Sequence, residues 1–193
     1  SCNIIKKEKI NMVHAHWMLP QGLVGTFLKK LFKIPLLVTV HGSDLFPLRS
    51  VLLKKLQYFV IRNADYVTVN SIATRNELVK RFPDYFSKVK VIPMGIDTKL
   101  FKKRRIKKPK SYEKSRILLF VGRLSDQKGL QYLIDSMPEI IKYDPNAKLL
   151  IIGEGSYEKI LQEKSRNNKM EKYAEFLGSK TAPEIAQYYN FAD

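Results

Sequence analysis

The sequence predicts an α/β protein built from two parallel-sheet lobes. Three observations carry this. Apolar runs of strand length alternate with stretches of helical periodicity, the alternation occurs in two series, and a strongly charged segment separates them.

In chain order, "INMVHAH" reads as a strand. "QGLVGTFLKKLFK" then places Leu23, Phe27 and Leu31 on one helical face, which is expected to pack on the sheet. "PLLVTVHG" is a buried strand that stops at a glycine, and Leu48, Leu52, Leu56 and Phe59 form one face of the next helix. "DYVTV" is a strand, Ser71 is placed to cap the helix "IATRNELVKRF", and the strand "KVKVIP" follows, so the first lobe spans 1–98. Residues 99–116, "KLFKKRRIKKPKSYEKSR", read as a basic linker or exposed loop. The second lobe, 117–193, contains strand "RILLFVG", a helix from about Gly129 to Tyr143, strand "KLLIIG", a helix around "SYEKILQEKSRN", strand "KYAEFLG" and helix "APEIAQYYNF".

The 193 residues are 45% apolar, enough for real cores. One cysteine, Cys2, rules out an intrachain disulfide and suits a cytoplasmic setting. No apolar run approaches a membrane span, and the lysines near the start precede no hydrophobic stretch of the kind a signal peptide needs. The chain starts with serine, so an upstream part is expected. The net charge of +17 is uneven: residues 1–98 and 99–116 each carry +9, and the remainder −1. That imbalance suggests an anionic partner for the first half.

The loop "FVGRLSDQKGL" concentrates the chemistry. In an open parallel sheet, ligands bind beyond the carboxyl ends of strands, where helix N-termini favour anions. Gly122 permits a turn and a close approach, Arg123 can fork onto phosphate oxygens, and Lys128 adds a point charge. The alternative is a pair of solvated cations on an ordinary loop. "IIGEGS" offers Gly153 and Gly155 after a strand, by itself only a tight-turn signal. Neither common phosphate-loop glycine pattern occurs, and there is no Asp-x-Asp pair or zinc spacing. His14 and His16 share a strand face without a third metal ligand, which favours packed or hydrogen-bonded roles. His41 ends a strand close to Asp44, where it faces a cleft or serves the structure.

Taken together, "GRLSDQKGL", "LLIIGEG", "FLGSKTAPEIAQYYNFAD", "VTVHGSD" and "VIPMGIDTKLF" resemble the retaining GT-B glycosyltransferases of family 4, the group 1 glycosyltransferases. The resemblance runs through nearly the whole chain in the family's order. It implies two Rossmann-like parallel-sheet domains of GT-B architecture, both incomplete here, and a hexosyltransferase-type enzyme of polysaccharide biosynthesis. Such an enzyme moves a sugar from a nucleotide-diphosphate donor to a glycan or lipid-linked acceptor with retention of configuration. By the same resemblance Arg123 and Lys128 hold the donor diphosphate, and His41 lies near the transferred sugar with Asp44 in the acceptor-facing loop. Gly122, Gly153 and Gly155 line the nucleotide loops. Gly95 and Asp97 match a Gly-x-Asp at the end of the first domain, in a structural or a cleft role. No metal or other cofactor is expected.

The resemblance also places the first domain's opening strands before residue 1 and a pair of sugar-contacting glutamates after residue 193, so the chain alone is expected to be inactive. A cytoplasmic protein touching anionic membrane through its basic lobe is a further expectation. Two other functions remain open at this point: a basic nucleic-acid-binding module, supported by charge alone, and a non-catalytic nucleotide-binding remnant.

Overall fold

The computed structural model describes residues 2–45 and 50–193. The chain divides into two compact units, Ser1–Gly95 and Ile96–Asp193. The basic segment 99–116 therefore falls inside the second unit.

In the first unit a short helix, α1 (Cys2–Lys7), precedes a four-stranded sheet ordered β1 (Val13–His16), β2 (Leu36–Val40), β3 (Tyr66–Val69) and β4 (Val89–Val91). All three strand pairings are parallel. The crossovers run through α2 (Leu23–Phe32), α3 (Val51–Asn63) and α4 (Ile72–Arg81). Leu36, Val38 and Val40, which share one face of β2, are fully buried, and Thr39 on the other face is buried as well. Ser71 caps α4 by accepting the Thr74 N–H at 3.1 Å.

Helix α2 corrects the expectation drawn from its apolar spacing. It meets the sheet through its smallest residues: Gly25 and Thr26 are buried, and a Cβ on Gly25 would lie 2.7 Å from Leu36 Cδ1. Leu23 packs on the core, but Val24, Phe27 and Leu31 are 49%, 58% and 66% exposed. In α3 the buried face is Gln57, Val60 and Ile61. Leu52 is exposed, Leu56 and Phe59 are half-buried, and Leu48 lies outside the described residues.

The second unit has a parallel sheet ordered β5 (Arg116–Val121), β6 (Ala147–Ile152) and β7 (Ala174–Phe176), with helices α5 (Leu130–Tyr143), α6 (Glu158–Asn167) and α7 (Ala182–Phe191). The two-residue period of β6 separates two cores. Leu149 and Ile151 pack with Ile134, Met137 and Leu161, whereas Leu150 packs with Ile117, Tyr112 and Phe191. Residues 102–107 are exposed, but the basic segment is pinned further on. Tyr112 is buried, stacks on Phe191 at 6.0 Å, and donates its hydroxyl to Glu175 at 3.0 Å. Asp193 closes the unit against β5: its N–H donates to the Ile117 carbonyl at 3.0 Å and its carboxylate accepts the Ile117 N–H at 2.8 Å. Among the described residues no helix is long and apolar enough to cross a membrane.

Candidate active site

In the second unit, the carboxyl ends of all three strands are laced together by backbone hydrogen bonds. Gly122 and Leu124 N–H donate to the carbonyls of Ile152 and Glu154, each at 3.0 Å, and Gly153 N–H donates to Gly178 at 2.9 Å. The two glycine loops touch backbone to backbone. A Cβ on Gly153 would stand 1.9 Å from the Gly122 carbonyl oxygen, and one on Gly155 would stand 2.1 Å from that of Leu124. Gly153 also has φ +137, a conformation that side-chain-bearing residues rarely adopt.

These loops border an open cavity of about 280 Å³, lined by Gly122, Arg123, Gly153, Glu154, Ser179 and Lys180 together with apolar residues. Arg123, Gly122 and Gly153 are thus brought together. Gly155 and Lys128 both lie outside the cavity lining, Lys128 closing the 3-10 turn Asp126–Lys128 just ahead of α5. Gly129, with φ +72, turns the chain from that 3-10 turn into the helix. Gln131 braces the turn by donating to the Asp126 carbonyl and carboxylate at 3.1 and 2.8 Å. Arg123 and Lys128 are exposed, and neither side chain makes an ion pair or hydrogen bond among the described residues. Two uncompensated cations thus flank the glycine loops, an arrangement able to take an anion.

Sequence reasoning missed Glu154, Ser179 and Lys180. Glu154 accepts the Ser179 N–H at 3.2 Å and so ties the loop after β7 to the loop after β6. Lys180 joins Arg123 as a second cation of the lining. They lie within the stretches "LLIIGEG" and "FLGSKTAPEIAQYYNFAD", but no spacing singles them out there, and it is the strand order β5-β6-β7 that brings them beside Arg123.

In the first unit the site residues gather where β1 and β2 end. His41 follows β2, and its Nε2 lies 2.9 Å from His16 Nδ1. The ring of His16 stands 4.4 Å from that of His14, whose Nε2 is 2.7 Å from Thr39 Oγ1. The hydrogen-bonded roles expected for His14 and His16 are therefore present, and among the described residues no three potential ligands gather as a metal-binding group. Burial, with the positive forms of His16 and His41 adding to it, holds the His14 imidazole below its ordinary value of 6.5. Asp44 is buried, and both its oxygens are engaged within the protein, accepting the N–H groups of His41 at 3.1 Å and Met18 at 2.9 Å. Gln57 holds the Asp44 carbonyl at 2.7 Å. Asp44 thus fixes the loop that carries His41. Gly95 has open space around it, and Asp97 caps a turn by accepting the N–H groups of Lys99 and Leu100.

Residues 2–100 match the family described as Glycosyltransferase Family 4, and residues 101–193 match Glycosyl transferases group 1. The chain belongs to this glycosyltransferase family. An uncharacterised glycosyltransferase of Methanocaldococcus jannaschii is 33% identical over 96% of the chain and 48% of its own length. The alpha-monoglucosyldiacylglycerol synthase of Streptococcus pneumoniae is 27% identical over 98% of the chain and 47% of its own length. The chain therefore spans about half the length of the curated relatives it matches. Among solved structures, Anabaena HepE in complex with UDP superimposes on all of this glycosyltransferase chain and 54% of its own, with a TM-score of 0.81 at 20% identity. That likeness identifies the fold as GT-B, with its two parallel-sheet domains.

Proposed function

We propose that the protein transfers a sugar, as a hexosyltransferase, from a nucleotide-diphosphate donor to a glycan or lipid-linked acceptor with retention of configuration. The observation that carries this is the meeting of Arg123, Gly122 and Gly153 at one cavity beyond the strand ends, with unpaired Lys128 at the mouth of α5. The relatives' names and the UDP held by HepE agree with it. In this reading the acceptor hydroxyl attacks the anomeric carbon from the face that the diphosphate leaves. The bond from that carbon to phosphate oxygen breaks, and the hydroxyl proton passes to the departing phosphate. Arg123 and Lys128 stabilise the charge that grows on it, a preorganised electrostatic role, and supply the positive charge without a metal. His41 serves the sugar end.

Calorimetry with nucleoside diphosphates, and separately with oligonucleotides at two salt concentrations, tests the donor site. Diphosphate binding is expected. Arg123→Ala should weaken it about 10- to 100-fold, the effect of losing one charge-assisted hydrogen bond worth about 1.5–3 kcal/mol. Oligonucleotide binding that collapses with salt, with no diphosphate binding, would support a nucleic-acid module instead. On this reading these 193 residues alone do not turn over donor, because transition-state binding needs the whole constellation. Robust nucleotide release from a panel of nucleotide sugars would refute that.

The same reading sets the protein in the cytoplasm, with its first unit against the anionic inner face of a membrane. Support comes from α2, whose exposed Val24, Phe27 and Leu31 stand beside exposed Lys30 and Lys33. Co-sedimentation with anionic vesicles but not neutral ones is expected, and equal binding to both would remove the idea.

A further inference from the structure

We propose that His16 is a positioning residue for His41: it accepts the His41 Nε2–H through its own Nδ1 and so leaves His41 Nδ1 as a bare acceptor for a substrate hydroxyl. The inference rests on the placement of His41 in the sugar-transfer site proposed above.

The two nitrogens stand 2.9 Å apart, and the rings lie 24° from parallel with centroids 5.1 Å apart. One proton lies between the two nitrogens, and only two neutral arrangements are possible. In the first, His41 donates from Nε2, so His16 carries its own proton on Nε2 and both rings adopt the Nε2–H tautomer. In the second, His16 donates from Nδ1, and both rings take the Nδ1–H tautomer. A histidine side chain in water prefers Nε2–H, so the first arrangement gives each ring its favoured form and the second denies it to both. No other partner within the described residues opposes this choice, because neither His41 Nδ1 nor His16 Nε2 makes a hydrogen bond there. The hydrogen bond made by one ring nitrogen thereby sets the chemistry of the other.

The surroundings hold this pair from both ends. His16 lies directly opposite Thr39 in the β1–β2 register, and its ring rests against His14, itself held by Thr39 Oγ1, which in turn meets Thr68 Oγ1 at 2.7 Å. On the other side the Trp17 ring lies 5.2 Å from that of His41, and the Trp17 indole N–H donates to Ser43 Oγ at 3.1 Å. Trp17 has φ 69, a strained value for a bulky residue, and its N–H is fixed to the Thr39 carbonyl at 2.9 Å. Asp44 holds the backbone N–H of His41. Ring, backbone and neighbouring loop are each constrained, which leaves His41 one ring orientation with Nδ1 free.

The test is the tautomer of His41, read from long-range proton–nitrogen correlation spectra of the nitrogen-15-labelled chain at alkaline pH. The expected wild-type spectrum shows one protonated nitrogen, Nε2, and one bare nitrogen, Nδ1. In His16→Ala the two His41 signals should move towards each other as the ring samples both tautomers. In His16→Asn, whose side-chain oxygen takes the place of Nδ1, they should stay apart. Averaged His41 signals in the wild type, a proton on Nδ1, or an unchanged His41 in His16→Ala would each overturn the proposal. The wild-type spectrum decides the matter even where His16→Ala fails to fold. No donor is needed, so the outcome is separate from that of the transferase reading. Failed diphosphate binding with a fixed tautomer rejects the reading, and an averaged tautomer with intact binding rejects the positioning role.

Discussion

Gly153 marks the point where the paired glycine loops of the second unit admit no side chain. Its positive φ and the 1.9 Å approach of a Cβ to the Gly122 carbonyl act together, because relieving the contact means moving the backbone that carries Arg123. Gly153→Ala should therefore destabilise the protein by at least about 2 kcal/mol in urea unfolding, whereas Gly95→Ala should stay within about 0.5 kcal/mol. At His14, burial disfavours the charged ring, so its folded-state pKa lies below the unfolded 6.5. The proton thus binds more tightly to the unfolded chain. The stability contributed through His14 is complete above pH 6.5 and declines as pH falls below it. The wild type should lose stability over that interval relative to His14→Gln, measured by unfolding at stepped pH. Equal slopes would show that the ring is no more costly to charge in the fold than out of it.

The strands were legible element by element, because a buried parallel strand is an almost unbroken apolar run such as "LLVTV" or "LLII". The facing of α2 was not. Its apolar spacing is genuine, but Gly25 and Thr26 let the helix approach the sheet so closely that the small face is buried and Phe27 and Leu31 turn outwards. Periodicity identifies a stripe and cannot say which side is packed. Leu31→Ser should accordingly change unfolding stability by no more than about 0.5 kcal/mol; a loss of 2 kcal/mol or more would mean that something covers it. The site was legible in the same uneven way. Arg123, Gly122 and Gly153 declare themselves through local motifs. The pairing of His16 with His41, and the arrival of Lys180 beside Arg123, depend on which strands are neighbours, and no local spacing encodes that.

At the scale of the molecule, the charge is concentrated in the first unit and in the basic segment, while the glycine loops of the second unit carry Arg123, Lys128 and Lys180. The second sheet has an outer edge at β5, where Asp193 engages Ile117 and the described structure places no further strand. Arg116 donates its N–H to Asn146, just before β6, and Gly122 donates to Ile152 at the end of β6, so by the two-residue period the N–H groups of Leu118 and Phe120 point that way as well. Leu119 and Val121 point the other way. In heavy water this edge becomes a clock with two rates on a single strand. The amides of Leu118 and Phe120 should hold their protons at least about tenfold longer than those of Leu119 and Val121, with Ile117 shielded by Asp193. Equal retention along β5 would reveal that the edge is closed in solution by another copy of the chain, and the difference between neighbouring amides would then emerge on dilution.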